Sequence, residues 1–345
     1  MQIENKKIGK NYPVYIIAEA GVNHNNDISL AFQMVDIAKE SGADAIKFQT
    51  FKANNIQLQN SVKPSYQKNI QKNYYDLIKS LETSFVDQKK IYNYCKKKQI
   101  TFLSTPYDLE SLNFLNKLGV SAFKISSSDF TNHIFLNQVL KFRKPIILST
   151  GISSMNNVDE TFNLILKNKM KNKLILVQAT SDYPAPNKDV NLNVLKQYSN
   201  RFNVVTGFSD HTEDDTASLG AVAMGAKLVE KHFTLNKKLS GPDQSSSLEP
   251  KDLKKWITKI RLLETSFGTS KKFITFSEKN NKTMRKILVI KPTKKGTKIT
   301  LDKLETMRGN NRGILPLNSN LKKIIGKKIN QNIYSVSQFS WNMIK

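Results

Sequence analysis

The sequence predicts an α/β fold, a (β/α)8 TIM barrel followed by a small β-rich domain. Three observations carry this. Eight short apolar, β-branched-rich runs recur between residues 14 and 234, amphipathic helical patterns lie between them, and beyond residue 283 the rhythm gives way to lysine-rich strand-and-turn patterns. Continuous apolar runs, as opposed to alternating ones, suit parallel strands covered on both faces. Eight such units over about 250 residues match a barrel in length and order. No G-x-G-x-x-G follows the first run, which weighs against a doubly wound dinucleotide fold.

The runs are "VYIIAEAG" (14–21), "AIKFQTF" (45–51), "TFLSTP" (101–106), "AFKISSS" (122–128), "PIILSTG" (145–151), "LILVQATS" (174–181), "NVVTGFSD" (203–210) and "KLVEKHFT" (227–234). Between them, "DISLAFQMVDIAKESG" opens on an Asp/Ser cap region and stops at Gly42, the start and stop chemistry of a helix. Similar patterns occupy 84–98, 108–119, 132–142, 158–168, 190–199 and 216–225. Residues 52–83 form a long excursion with a short helix, of the length common in lids and binding loops. A helix over 250–268, with Pro250 in its first turn, closes the barrel. The expected division is a catalytic barrel over 1–268, a linker over 269–283, and a small domain over 284–345. That last segment is too small for a large core and gains from docking on another surface.

Composition narrows the function. The 54 basic and 28 acidic residues leave a net charge of +26, which raises the possibility of a nucleic-acid partner. The lysines, however, are spread from Lys6 to Lys345 among many asparagines, with no helix-turn-helix spacing, zinc knuckle or basic-aromatic stripe. A solvated basic surface is the expectation, with no nucleic-acid partner. No apolar run reaches the ~18 residues of a membrane span, and the first residues lack signal-peptide order, so a cytoplasmic, membrane-free protein is expected. Cys95 is the single cysteine; a disulfide within the chain and a cysteine-based zinc cluster are excluded.

In a parallel barrel the loops at the C-terminal ends of the strands build the active site. Polar residues late in each run therefore converge on one rim: Glu19, Asn23 and His24; Lys47 and Gln49; Ser104 and Thr105; Lys124, Ser126, Ser128 and Asp129; Ser149 and Thr150; Ser181, Asp182 and Tyr183; Ser209, Asp210 and His211; Glu230 and His232. Each alone reads as ordinary turn or surface chemistry. Together, two lysines, a glutamate and a histidine interrupt runs that should be buried, where unpaired charge is costly. Lys47 and Lys124 with hydroxyl donors describe a site for a phosphate plus a carboxylate. His211 and His232, on neighbouring strands, could share a divalent metal. Two imidazoles without thiolates leave positions open and favour Mn²⁺, Mg²⁺ or Co²⁺ over a closed zinc site. Glu19 is a candidate metal-water partner or general base.

The stretches "IAEAGVNHNND", "GADAIKFQTF", "FLSTPYD", "KISSSD", "KPIILSTG", "SDYPAP", "GFSDHT" and "EKHFT…GPDQ" occur in order and resemble the N-acetylneuraminate (sialic acid) synthase family. These are the bacterial nonulosonic acid synthases with a C-terminal antifreeze-like (SAF) domain. The resemblance implies a transferase that condenses phosphoenolpyruvate with the open-chain aldehyde of an acetamido sugar and releases phosphate with C–O cleavage. It implies His211 and His232 as metal ligands, with Mn²⁺ foremost. Around phosphoenolpyruvate it implies Lys47, Gln49, Thr105, Lys124, Ser149 and Ser209. Glu19, Glu230 and Asp243 correspond to catalytic carboxylates, and Asp129 and Tyr183 to sugar contacts. It further implies a domain-swapped homodimer in which each small domain caps the partner's barrel.

Two departures from the family pattern concern the acceptor. Asp129 stands where many members have the longer glutamate, and "TMRGNNRGILP" lacks the proline of the family's usual arginine loop. Arg308 is the better match to the arginine that reaches the partner's sugar acyl group, with Arg312 the competitor. The first expectation is N-acetylneuraminate from N-acetylmannosamine. Legionaminic or pseudaminic acid, formed from a 2,4-diacetamido-6-deoxy hexose, is the alternative. Another phosphoenolpyruvate-condensing keto-acid synthase is more distant.

Overall fold

The computed structural model describes residues 1–64, 67, 72–309 and 312–345. The chain forms two compact units, Met1–Phe267 and Gly268–Lys345. The first holds eight parallel strands: β1 (Tyr15–Gly21), β2 (Ala45–Thr50), β3 (Thr101–Pro106), β4 (Phe123–Ile125), β5 (Ile146–Ser149), β6 (Leu174–Ala179), β7 (Val205–Asp210) and β8 (Leu228–His232). Their order in the sheet is β3-β2-β1-β8-β7-β6-β5-β4, and the two end strands adjoin, so the sheet curls back on itself as in a TIM barrel. All eight expected runs are strands. All but β3 are shorter than expected, β4 most of all: it stops at Ile125, where Ser127–Asp129 winds into a 3₁₀ turn, while β5 stops at Ser149 and β8 at His232.

Strand residues alternate between two cores. The outward set, including Ile16, Ala18, Ile46, Phe48, Phe123 and Leu176, packs with the helices in the main hydrophobic cluster. The inward set forms a second cluster of Tyr15, Ile17, Ala45, Leu103, Ala122, Ile147, Ile175, Val177 and Leu228. Ile3 and Ile8, from and beside a short hairpin pairing Gln2–Ile3 with Lys6–Lys7, join that cluster and stop the lower end of the barrel. Because side chains alternate with period two, the next inward positions up the strands are Glu19, Lys47, Thr105, Lys124, Ser149, Ser209 and Glu230. Apolar floor and charged rim are successive layers of the same strands.

The helices follow their sequence signals. The α1 helix (Ile28–Ser41) starts where the Asp27 carboxylate accepts from the Ser29 and Leu30 amides, and it ends at Gly42 with φ +89°. The described residues of 52–83 include two short α-helices, α2 (Ala53–Ile56) and α3 (Tyr74–Leu81), where one is expected. They cover a satellite cluster of Val22, Phe51, Leu77 and Leu81. Glu82 pins the start of this excursion to its end, accepting from the Ala53 amide at 2.9 Å and lying 3.2 Å from Lys52 Nζ. The α4 helix (Phe85–Lys98) turns Cys95 into the core, where burial pushes its thiol pKa up, as a packing residue. The α5 (Leu109–Leu118), α6 (His133–Lys141), α7 (Met155–Lys167), α8 (Asn193–Phe202) and α9 (Thr216–Ala223) helices follow β3 to β7 in turn, and α10 (Pro250–Ser266) completes the unit. No helix of the described residues is long and apolar enough to cross a membrane.

The second unit holds a three-stranded antiparallel sheet in which β9 (Lys286–Ile290) lies between β10 (Leu304–Arg308) and β11 (Ser337–Gln338). Its core is Leu288, Ile290, Ile299, Ile324, Ile329 and Phe339. The segment read as strand and turn around "NSNLKK" is instead a helix, Asn318–Ile324. Leu321 and Ile324, three apart, face the core while Lys322 and Lys323 are exposed. Seven residues span too few turns for helical periodicity to stand out.

Ile147 is fully buried in the barrel interior. Ile147→Ala is expected to lower the unfolding free energy by about 2–5 kcal/mol in urea titrations. A loss under about 1 kcal/mol would mean that the inner cluster is loosely packed.

Candidate active site

Four charged side chains meet just above the apolar floor. Lys47 Nζ lies 2.7 Å from Glu19 Oε2 and 3.7 Å from Glu230 Oε1, and it donates to Thr105 Oγ1 at 3.2 Å. Lys124 Nζ lies 3.4 Å from the same Glu230 oxygen, which also accepts from Ser209 Oγ at 3.1 Å. All four are buried, so the barrel encloses two cations and two anions whose formal charges cancel. Such clusters seldom stabilise more than apolar residues of equal volume. Chemistry is the better reason to keep one.

The environment drives the two carboxylates apart. Burial raises the Glu19 pKa to about 7, with Lys47 only partly opposing it. Burial also works against ionised Glu230, but Lys124, Lys47 and the two histidines outweigh it and hold that group at about 2. One carboxylate exchanges its proton near neutrality while the other stays charged. That division suits paired acid–base work. Burial pulls the Lys124 pKa down, whereas for Lys47 the two glutamates overcome burial and raise it.

The histidines stand beside this cluster. The Thr180 carbonyl can only accept, so at 2.6 Å it fixes the proton of His211 on Nδ1. Burial lowers His211 to about 4, leaving Nε2 as an acceptor. Ser209 Oγ is 3.3 Å from that nitrogen and 3.1 Å from Glu230 Oε1, so one hydroxyl proton faces two acceptors. His232 is also held neutral by burial, then by His211 and Lys47, and its Nδ1 is buried without a partner. The two imidazole centroids are 5.6 Å apart. A shortage of donors beside neutral imidazoles is the donor set a divalent cation would complete. No group of three or more His, Cys, Asp or Glu side chains suited to a metal occurs among the described residues, so remaining ligand positions would fall to water or substrate.

A cavity of about 640 Å³ opens above these groups. Ser149, whose buried hydroxyl has no partner, lines it with Gln49, Ser209 and Asp129, which accepts from Ser126 and Asn132. Tyr183 lies over His211 at 4.2 Å between centroids and edge-on to His232 at 5.5 Å. Gly21, at φ +53°, is needed as glycine: a Cβ there would sit 3.3 Å from Glu19 and 3.4 Å from Gln49. Asp243 faces the cavity from the loop after β8, and burial pushes its carboxyl up to about 6. Phe51, Ile56, Ile78 and Tyr107, which pack in one hydrophobic cluster, give the cavity an apolar wall.

Of the fourteen residues given a role by the family resemblance, thirteen line this one cavity, whereas Asn23, Ser104, Thr150, Asp182 and Asp210, also grouped with the rim, do not. The fourteenth, Arg308, is an exposed residue at the end of β10 in the second unit, as Arg312 is just beyond it. The apolar wall was missed. Tyr107 directly follows "STP" and could have been found as a rim position, but Ile56 and Ile78 lie in an excursion with no strand to index them. His24, grouped with the rim, is instead buried against Phe48 with both ring nitrogens unpartnered, and it is not among the cavity-lining residues.

The NeuB family model matches residues 34–272. The chain belongs to the NeuB family. It is 43% identical over 299 residues to the N,N'-diacetyllegionaminic acid synthase of Campylobacter jejuni, covering 85% of this chain and 90% of that one. It is 36% identical to the enzyme of the same name from Legionella pneumophila, covering 99% and 97%. Among solved structures, it resembles the N-acetylneuraminic acid (sialic acid) synthetase of Leptospira borgpetersenii in complex with citrate, with a TM-score of 0.72 and 32% identity, covering 81% of this chain and 94% of that one. This NeuB-family chain is therefore an enzyme, and its cavity is the place to seek the chemistry.

Asp243 gives a pH test. A carboxyl raised to about 6 binds a proton more tightly folded than unfolded. Its stabilising contribution is present in acid below about pH 4 and is lost as pH rises through 6, at a cost of about 3 kcal/mol. Asp243→Asn should therefore be more stable than the parent at pH 7.5 by up to that amount, with the difference vanishing near pH 4. Equal melting temperatures at both pH values would contradict it.

Proposed function

We propose that this enzyme is a nonulosonic acid synthase that condenses phosphoenolpyruvate with a 2,4-diacetamido-6-deoxy hexose to form a legionaminic-acid-type product. The observation that carries the reading is the joint one of a buried Lys47–Glu19–Glu230–Lys124 cluster beside two neutral histidines in a 640 Å³ cavity. N-acetylmannosamine was the acceptor expected first from sequence. Two considerations favour the diacetamido sugar: the Campylobacter and Legionella relatives, and the wall of Phe51, Ile56, Ile78 and Tyr107, which suits methyl groups better than hydroxyls. The Leptospira structure keeps N-acetylneuraminate synthesis as the second reading.

Carbon 3 of phosphoenolpyruvate attacks the aldehyde carbon of the open-chain sugar. Water adds at carbon 2, and phosphate leaves the resulting tetrahedral centre with C–O cleavage. Lys47 and Lys124 neutralise the phosphate and carboxylate, with Gln49, Thr105, Ser149 and Ser209 as further donors. Glu19, near neutrality in its protonation, moves the proton that the added water must lose. Glu230 stays ionised and holds both lysines, and Asp243 serves as a third carboxyl at the cavity wall. Asp129 and Tyr183 orient the sugar. His211 and His232 would hold a divalent ion, Mn²⁺ before Mg²⁺ or Co²⁺, supplying Lewis-acid polarisation of the aldehyde oxygen. The second unit is an antifreeze-like (SAF) domain that caps the partner's barrel in a domain-swapped homodimer, with Arg308 or Arg312 reaching the sugar's acyl group. The enzyme works in the cytoplasm.

An acceptor panel tests the assignment. With phosphoenolpyruvate and Mn²⁺, phosphate release should be at least about tenfold more efficient with the 2,4-diacetamido-6-deoxy sugar than with N-acetylmannosamine. The reverse order would favour the second reading, and no release with either would reject synthase function. His232→Ala should stay folded by circular dichroism yet lose Mn²⁺ binding and lower turnover by at least about 100-fold. Activity indifferent to EDTA would remove the metal from the proposal.

A further inference from the structure

Between Glu230 and His232, which face the cavity, Lys231 points the other way and is 2% exposed. A lysine buried outside the barrel wall has no part in the chemistry above. Its ammonium lies 3.0 Å from Asp210 Oδ2, its neighbour in register on β7, and donates to the Thr212 carbonyl at 2.7 Å and the Asp214 carbonyl at 2.8 Å. Three acceptors match its three protons. Asp210 is equally saturated: Oδ1 accepts from the Thr212 amide at 2.9 Å and the Thr212 hydroxyl at 2.7 Å, while Oδ2 also accepts from Ser218 at the start of α9. The cluster grips the backbone on both sides of Thr212, the residue after His211. Inside the wall, His211 is held by the Thr180 carbonyl and by the Ala185 amide, which donates to the His211 carbonyl at 2.8 Å.

We infer that Lys231 and Asp210 form a clamp that sets the position of His211 from outside the barrel, making Lys231 a positioning residue for the two-histidine site. The inference rests on the metal reading proposed above. The reasoning is geometric. Loop 211–215 leaves β7 without secondary structure of its own until α9, and two of its carbonyls turn toward one buried ammonium. A buried ion pair replaceable by apolar residues is weak evidence for stability. One that also binds two loop carbonyls restricts the backbone that carries a ligand. The pleat of β8 couples both sides: with Lys231 locked outward, Glu230 and His232 must face in.

The test uses Lys231→Met, which keeps the aliphatic stem and removes the ammonium, in the full-length protein. Mn²⁺ affinity should weaken about tenfold or more, as for supports of metal-ligating histidines. Turnover should fall in step while KM for phosphoenolpyruvate stays within about twofold. Lys231→Arg, which keeps a charge and several donors, should recover part of the affinity. Folded Lys231→Met with unchanged Mn²⁺ affinity and turnover would overturn the clamp. Should Lys231→Met not fold, Asp210→Asn takes its place with the same expectations. A readout independent of metal separates the two proposals. With four histidines in the chain, the His211 Nδ1–H proton can be assigned by NMR. That signal should be slow to exchange in the parent and broaden or vanish in Lys231→Met. If the parent binds no Mn²⁺ but the signal responds this way, the metal reading fails and the clamp stands; a signal unaffected by the substitution rejects the clamp.

Discussion

The Lys47–Glu19–Glu230–Lys124 cluster is the interaction around which the barrel is organised. Glu230 Oε1 is its hub, within 3.7 Å of Lys47, 3.4 Å of Lys124 and 3.1 Å of Ser209. Four full charges in a low-dielectric interior interact strongly, so removing any one leaves its partner uncompensated. That constraint accounts for the surroundings. The lower barrel must be apolar and tightly filled to carry the cost of the rim. Gly21 must lack a side chain, and Thr105 and Ser209 must supply hydroxyls where water is scarce. The formal charges of the cluster cancel among themselves, so a dianion on the lysines, as proposed above, would displace carboxylates from them. The raised Glu19 pKa fits such a role, because protonating Glu19 frees Lys47 for a new partner.

Much of this was legible from residues alone. Period-two alternation is short-ranged, so a charged residue or histidine in a buried run takes its face from its place in the pleat, as Lys231 does by facing outward between Glu230 and His232. Lys47, Lys124, Glu230 and His232 were all found that way. Once strands are parallel and of similar length, their ends must share one rim, which brings together residues as distant as Glu19 and His232. Their register pairing, His232 beside Glu19, follows from the same rule.

What was not legible depended on contacts with no periodicity. The apolar wall comes from short helices in the 52–83 excursion, anchored by Glu82 through bonds to Lys52 and Ala53 that no local pattern announces. The helix at Asn318–Ile324 lacks a capping side chain and is too short to display its period. His24 was grouped with the rim because it follows β1 closely, yet the turn beginning at Gly21 carries it into the core beside Phe48. Strand ends are indexed by pleat, and the turns after them are not.

The hairpin of Gln2–Ile3 with Lys6–Lys7 and the fully buried Ile3 have a kinetic meaning beyond packing. With Ile3, Ile8 and Tyr15 filling the lower end, the described residues make the barrel a vessel closed below, with its cavity above. In the function proposed above, an anion on Lys47 and Lys124 would sit at the bottom of that vessel, beneath the sugar. Depth would then impose sequence, the deeper reactant entering before the shallower one and the shallower product departing before the deeper.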